Sequence, residues 1–265
     1  MTEVTPAARP PAGTPVPPAI RQFADGRPTR LIWENRLGGL TALVEDQAGD
    51  VVVKWQPNNR ESSLAAEAKR LTWLHGRHPV PELVEHRVLD GAALLVTKAL
   101  PALSAVDRAW RLRGVEATRA IAQGLRRLHA LDAADCPFDW TVETRIESAL
   151  VRGKRIPPQL RTPPPVDRMV VCHGDACAPN TLVAGEGSFA ATVDVGALGV
   201  GDRWADLAVA TMSLGWNFEA GLESVFWEAY GVVPDHERIR YYRALWDFTS
   251  PVATTSAVSP SQRFP

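Results

Sequence analysis

Asp175 and Asn180 stand five residues apart in His173-Gly174-Asp175-Ala176-Cys177-Ala178-Pro179-Asn180, directly after the apolar run Val170-Val171-Cys172. A carboxylate in such a loop can take the proton of an attacking hydroxyl, and an amide oxygen can hold a hard cation. Downstream, Val193-Asp194-Val195-Gly196 puts a second carboxylate at a strand end, just before a glycine. Upstream, Lys54 follows the β-branched run Val51-Val52-Val53, and Glu67 lies in the first helical segment after it. The set supplies a base (Asp175), two magnesium ligands (Asn180 and Asp194), a cation for the α- and β-phosphates of ATP (Lys54), and an acid to hold that cation (Glu67). Phosphoryl transfer needs such a set, because the γ-phosphate is multiply charged and must be neutralised while the nucleophile is aligned.

Each residue also has a plainer use. Lys54 and Glu67 could be solvated side chains, Asp194 a helix cap, and Gly38-Gly39 an ordinary turn. Cys172, His173 and Cys177 could suggest zinc, but the spacing is wrong and a fourth ligand is missing. What argues for joint use is order. A glycine pair, a strand lysine, a helical glutamate, H-G-D-x-x-x-x-N and D-x-G follow one another as a kinase-type site requires.

The elements that must position these residues are readable in outline. Leu31-Ile32-Trp33 and Ala42-Leu43-Val44-Glu45 flank Leu37-Gly38-Gly39-Leu40-Thr41 and read as a hairpin. Its glycines let backbone approach phosphates closely, so Gly38, Gly39 and Thr41 are nucleotide-binding candidates. Gly49-Asp50 turns into the strand of Lys54. Ser62 and Ser63 can cap a helix from Leu64 to about Leu74, ended by Pro79 and Pro81. Leu83–Val88 and Ala92–Thr97 form a second hairpin around Asp90-Gly91, and Ala99-Leu100-Pro101 is a connector. Beyond it the spacing predicts helices over 114–131, 141–153, 203–215, 219–230 and 235–248. Short strands are predicted at Val170–Cys172, Thr181–Val183 and Ala191–Asp194, with a proline loop over 157–165.

This order predicts an α+β, two-lobed, protein-kinase-like fold with a cleft between the lobes. The expected organisation is a Pro/Ala-rich flexible arm over 1–25, holding six prolines between Pro6 and Pro18, then a β-rich nucleotide-binding lobe over 26–99. A mostly helical catalytic and acceptor-binding lobe follows over 100–248, and a flexible tail over 249–265. Lys and Arg number 29 against 30 Asp and Glu, which speaks against a broad nucleic-acid surface. No apolar run approaches the ~20 residues of a membrane span, and no secretory signal is visible. Three cysteines, Cys136, Cys172 and Cys177, give no disulfide framework. The expectation is a soluble cytoplasmic protein, monomer or dimer, acting on a small molecule.

The chain resembles the aminoglycoside 3'-phosphotransferases. The likeness lies in Leu125–Asp132 leading to Cys136-Pro137-Phe138, in Val171–Cys177, in Gly199–Ala208 with its Asp202-Arg203-Trp204 and Asp206-Leu207-Ala208, and in Arg240-Tyr241-Tyr242. It spans roughly residues 30 to 248. The resemblance implies adenine against the connector at Thr97 to Ala99, and the roles already given to Asp175, Asn180, Asp194, Lys54 and Glu67. It also implies a sugar hydroxyl of a kanamycin-type aminoglycoside as acceptor, in an acidic pocket.

Several positions depart from the family. Its frequent acid inside the catalytic loop is here Ala178, and its frequent Arg after D-x-G is Ala197. The stretch from Pro137 to His173 is shorter, with Asp139, Glu143 and Glu147 as its acids. Family chains end just after an acidic residue matched by Asp247, whereas this chain continues to Pro265. Asp247, Glu143 and Glu147 are thus the acceptor-site candidates, in a pocket with fewer carboxylates than usual. A kinase of another small hydroxylated metabolite uses the same nucleotide machinery. A non-catalytic nucleotide-binding module is the third reading, opposed by the intact Asp175, Asn180 and Asp194.

Overall fold

The computed structural model describes residues 9–35, 37–57, 63–89 and 91–250. They divide into two compact units. One runs to Gly76 and again from Val80 to Pro101; the other takes Arg77–Pro79 and the chain from Ala102 onward. The sequence suggested one break after residue 99 and gave no sign of the three-residue excursion.

The first unit opens with helix α1 (Pro18–Ala24), inside the expected arm. That expectation is corrected for residues 18–24; residues 1–8 lie outside the described residues. A proline in the first helical turn loses no hydrogen bond, and its fixed φ suits the helix. Ile20 and Ala24, four apart, bury one face with Ala42, Val44, Val53 and Leu94. Burial of Ile20 contributes roughly 1.5–3 kcal/mol, which holds a helix too short to stand alone. Proline content alone therefore misleads here.

Strands β1 (Thr29–Glu34), β2 (Leu40–Val44), β3 (Val51–Pro57), β4 (Leu83–Leu89) and β5 (Ala92–Lys98) form an antiparallel sheet ordered β1-β2-β3-β5-β4. Helix α2 (Leu64–Leu74) begins at Ser63, whose side chain accepts the Ala66 N–H. Ser62 and the turn residue Asp90 lie outside the described residues.

In the second unit come β6 (Leu103–Ser104), α3 (Arg108–Arg111), α4 (Gly114–Leu128), α5 (Val142–Val151), β7 (Met169–Cys172), β8 (Thr181–Val183), β9 (Phe189–Thr192) and β10 (Gly199–Asp202). Helices α6 (Trp204–Asn217), α7 (Glu223–Tyr230) and α8 (His236–Thr249) complete it. The tail expected over 249–265 is corrected for its first two residues, since Thr249 is helical and Ser250 caps α8; residues 251–265 lie outside the described residues. Two small sheets run β6-β8-β9 and β10-β7. Helix α6 is buried without a break from Trp204 to Thr211, so this unit is built around it.

The sequence did not suggest β10. Gly199-Val200-Gly201 lacks apolar alternation because backbone, not side chain, packs there. A Cβ on Gly199 would lie 2.7 Å from the Asp139 carbonyl carbon, and one on Gly201 would lie 2.8 Å from the Trp140 oxygen. That closeness lets residues 138–140 run alongside. The Val200 N–H donates to the Phe138 carbonyl and the Trp140 N–H to the Val200 carbonyl, both at 2.8 Å.

The excursion 77–79 is stitched to β9. The Thr192 N–H donates to the Pro79 carbonyl at 3.0 Å, and His78 Nε2 lies 2.9 Å from Thr192 Oγ1. Burial, and then electrostatic repulsion from His173, Arg127 and His129 when His78 is protonated, push the His78 pKa down to about 4. The folded state therefore holds His78 neutral, while the unfolded chain protonates it near 6.5. Stability from this residue is full above 6.5 and falls as the pH drops toward 4. Between pH 7 and pH 5 the loss should be about 2 kcal/mol, and His78→Gln should show a clearly smaller loss. Urea unfolding of both proteins at the two pH values checks this; equal losses would contradict it.

Candidate active site

Lys54 lies on β3, paired with Thr41 of β2 and Leu95 of β5. Its Nζ sits 2.6 Å from Oε1 of Glu67 on α2, and the Glu67 side chain is 6% exposed. A pair so sheltered keeps the ammonium at a fixed point, because a lone buried carboxylate would be costly. The structure thus brings together the two residues expected to act as phosphate ligand and support.

The glycine turn is organised by a residue that the sequence did not single out. Asn35 Oδ1 accepts the N–H groups of Leu37 at 2.9 Å and Gly39 at 2.8 Å, while its Nδ2 donates to Gln56 Oε1 at 2.8 Å. Gln56 Nε2 returns a bond to the Leu37 carbonyl at 3.3 Å. Gly38 has φ +75°, which a side chain would strain. A Cβ on Gly39 would fall 2.1 Å from Gln56 Oε1. The two glycines thus serve different needs, backbone conformation at one and side-chain room at the other. In the connector, Thr97 is buried on β5 and the Ala99 N–H donates to the Asp50 carbonyl at 2.9 Å.

In the second unit, β7 leads into the loop that carries Asp175. Cys177 Sγ donates to Asp175 Oδ1 at 3.0 Å, and Asn180 Nδ2 lies 3.4 Å from Asp175 Oδ2 and 2.9 Å from the Asp175 carbonyl oxygen. Commitment of Nδ2 to Asp175 leaves the amide oxygen as the end of Asn180 suited to a cation. Burial raises the Asp175 pKa above its ordinary value; Cys177, His173 and Asn180 pull against the shift, and the charge of Asp194 adds to it. Asp194 is exposed and holds φ +63°. That left-handed backbone costs a non-glycine residue about 1 kcal/mol or more, and Asp is among those that tolerate it. The Val193 N–H donates to the Asn180 carbonyl at 2.9 Å, tying the D-x-G segment to the loop.

His173 locks the same two segments. Its Nδ1 accepts the Asp175 N–H at 3.2 Å, so Nε2 carries the proton and donates to the Val193 carbonyl at 3.0 Å. Gly174 adopts φ +85°, and a Cβ there would lie 2.3 Å from the Ala197 carbonyl oxygen. Only glycine fits this position.

Asp206, fully buried at the start of α6, supports the loop from within. Its Oδ2 accepts the His173 N–H at 2.6 Å and its Oδ1 accepts the Gly174 N–H at 3.0 Å. His129 Nε2 lies 2.9 Å from Oδ2, and His129 Nδ1 lies 2.8 Å from the Tyr230 hydroxyl. Burial alone would raise the Asp206 pKa; the hydrogen bond and charge of His129, with His173, outweigh it and hold it below the ordinary carboxylate value. About two turns along α6, Ser213 Oγ accepts the Ala178 N–H at 2.9 Å. His129 and Asp206 lie within segments that carry the family likeness, which was the available signal for them. Nothing in the sequence marked Ser213 or Tyr230.

The acceptor candidates are not brought together in the same way. Glu143 and Glu147 are exposed on α5, and Asp247 is exposed on α8. Thr141 caps α5, and Asp139 braces that cap, accepting the Thr141 N–H at 2.7 Å and the Thr144 hydroxyl at 2.9 Å. Cations gather at the end of α8 instead. Lys154 Nζ donates to the carbonyls of Phe248 at 2.8 Å and Ser250 at 2.7 Å, and Arg152 Nη2 donates to that of Thr249 at 2.8 Å. They satisfy carbonyls at the negative end of the helix dipole.

A β-sheet unit with a lysine–glutamate pair and a helical unit with the Asp175–Asn180 loop and a D-x-G carboxylate have the make-up of a kinase-like phosphotransferase. Residues 35–242 match the model of the phosphotransferase enzyme family, and the chain belongs to that family. It is 35% identical to the aminoglycoside 3'-phosphotransferase of Streptomyces fradiae, covering 72% of this chain and 82% of that one. It is 33% identical to the streptomycin 3''-kinase of Streptomyces griseus, over 71% and 81%. Among solved structures, an aminoglycoside-3'-phosphotransferase of type VIII aligns with TM-score 0.75 and 27% identity, over 87% of this chain and 96% of that one. An aminoglycoside phosphotransferase of Streptomyces rimosus, solved with ADP and streptomycin, aligns at 0.62 and 27%, over 79% and 90%. No helix among the described residues is long and apolar enough to cross a membrane.

Asp206→Ala leaves two loop N–H groups and His129 without their acceptor. It should cost on the order of 3–5 kcal/mol in urea unfolding at neutral pH. A loss below about 1 kcal/mol would show that the loop does not depend on this carboxylate.

Proposed function

We propose that the protein transfers the γ-phosphate of ATP to a hydroxyl of an aminoglycoside, inactivating the antibiotic. The observation that carries this reading is the loop geometry, in which Asp175 is held by Cys177 and Asn180 while Asp206 fixes the backbone before it. The names and the shared length of the relatives support the acceptor class.

In this reading Asp175 orients the acceptor hydroxyl and receives its proton as the oxygen–phosphorus bond forms. The bond from the γ-phosphorus to the bridging oxygen breaks, and ADP leaves with the electron pair. Lys54, steadied by Glu67, takes the α- and β-phosphates, with Gly38, Gly39 and Thr41 at the turn beside them. Thr97 and Ala99 are assigned to adenine in this reading, although the Ala99 N–H already serves Asp50. Asn180 and Asp194 would hold Mg²⁺, since an amide oxygen and an exposed carboxylate are the hard donors that ion takes. When bound, the ion would neutralise phosphate charge. Asp247, Glu143 and Glu147 are the carboxylates offered to the acceptor's ammonium groups.

The relatives include both 3'- and 3''-acting enzymes, so a 3'-hydroxyl of the kanamycin type is one of two acceptor positions to test. Purified protein should consume ATP with kanamycin or streptomycin in the presence of Mg²⁺. Asp175→Ala should lower turnover on the order of a hundredfold or more while ATP affinity changes little. Equal turnover in the variant would remove Asp175 from the mechanism. ATP binding without consumption across the panel would point to another hydroxylated metabolite or to a regulatory module.

A further inference from the structure

Trp216 and Trp246 form a partly exposed aromatic pair that no role above uses. Their ring centroids are 5.7 Å apart with planes at 47°, Trp216 on α6 and Trp246 on α8. Trp216 is 47% exposed, and Trp246 is half-buried. A tryptophan this open gives up much of the burial that usually places the residue inside, so an exposed pair marks a contact surface.

The position of the pair ties it to the reaction. Trp216 stands three residues after Ser213, on the helix whose Ser213 Oγ holds the Ala178 N–H of the catalytic loop. Asn217, next to Trp216, donates to the Ser213 carbonyl at 2.9 Å and lies 3.2 Å from Ser213 Oγ. Trp246 immediately precedes Asp247 on α8. Trp216 therefore stands about one helical turn from the support of the loop that carries Asp175, with Trp246 packed beside it.

We infer that Trp216 and Trp246 form an acceptor platform that takes the face of an amino-sugar ring. An indole face packs against ring C–H groups and attracts an ammonium through its quadrupole. Such a surface discriminates by ring shape and needs few carboxylates, which fits a site where Lys154 and Arg152 occupy the end of α8. The inference rests on the aminoglycoside reading given above.

The test is tryptophan fluorescence and steady-state kinetics with kanamycin and streptomycin as probes. In wild type, without ATP, one of them should change the fluorescence saturably, and Trp216→Ala and Trp246→Ala should each weaken that response. With ATP, each variant should raise the KM for the acceptor on the order of tenfold, with the KM for ATP unchanged. Trp216→Phe, which keeps an aromatic face, should restore most of the affinity. Turnover with unaltered acceptor KM in both alanine variants would overturn the platform and leave the transfer reading intact. A saturable response that the variants lose, with no ATP consumed, would support the platform and overturn the transfer reading. No response from wild type to either probe would overturn the platform.

Discussion

A charged carboxylate buried inside a protein is costly unless every lone pair finds a donor. Asp206 meets that condition with the backbone N–H groups of His173 and Gly174 and the imidazole of His129. Those donors cannot move apart without exposing the charge to an apolar interior. The turn before Asp175 is therefore fixed by the same interaction that makes α6 tolerable as the centre of its unit. Ser213 adds a second anchor from the same helix. Through His173, whose other nitrogen reaches the Val193 carbonyl, the constraint extends to the segment of Asp194.

The residues proposed for the nucleotide are positioned by different means. Lys54 takes its place from strand register, and Glu67 from a helix whose start is set by Ser63. The glycine turn depends on Asn35 and Gln56, two neutral amides that satisfy one another. One unit thus relies on neutral hydrogen bonds and an ion pair, and the other on a buried anion. Both arrangements hold side chains before any ligand arrives, and that preorganisation lets fixed charges stabilise a transition state.

Much of this was legible in the sequence where a side chain's type is itself the requirement. Lys54, Asp175, Asn180 and Asp194 stand out because phosphoryl transfer asks for those groups in that order. The sheet and the long helices followed from alternation and helical spacing. Elements defined by backbone packing were not legible. Strand β10 exists because glycines admit residues 138–140, and α1 because a proline-rich stretch hides two apolar residues four apart. Ser213 and Tyr230 act through partners 35 and 101 residues away along the chain, and Asn35 is steadied by Gln56, 21 residues on, distances that no local pattern spans. Likewise Asp139 is an acid by type but by position a brace for the Thr141 cap of α5.

The most direct test of the central constraint is amide hydrogen exchange at His173 and Gly174 in the ligand-free protein. If Asp206 locks this turn from the core, both amides should exchange only at the rate of global unfolding, alongside the core amides of α6. Exchange as fast as that of exposed loops would contradict the account, because the turn would then open without breaking the buried network.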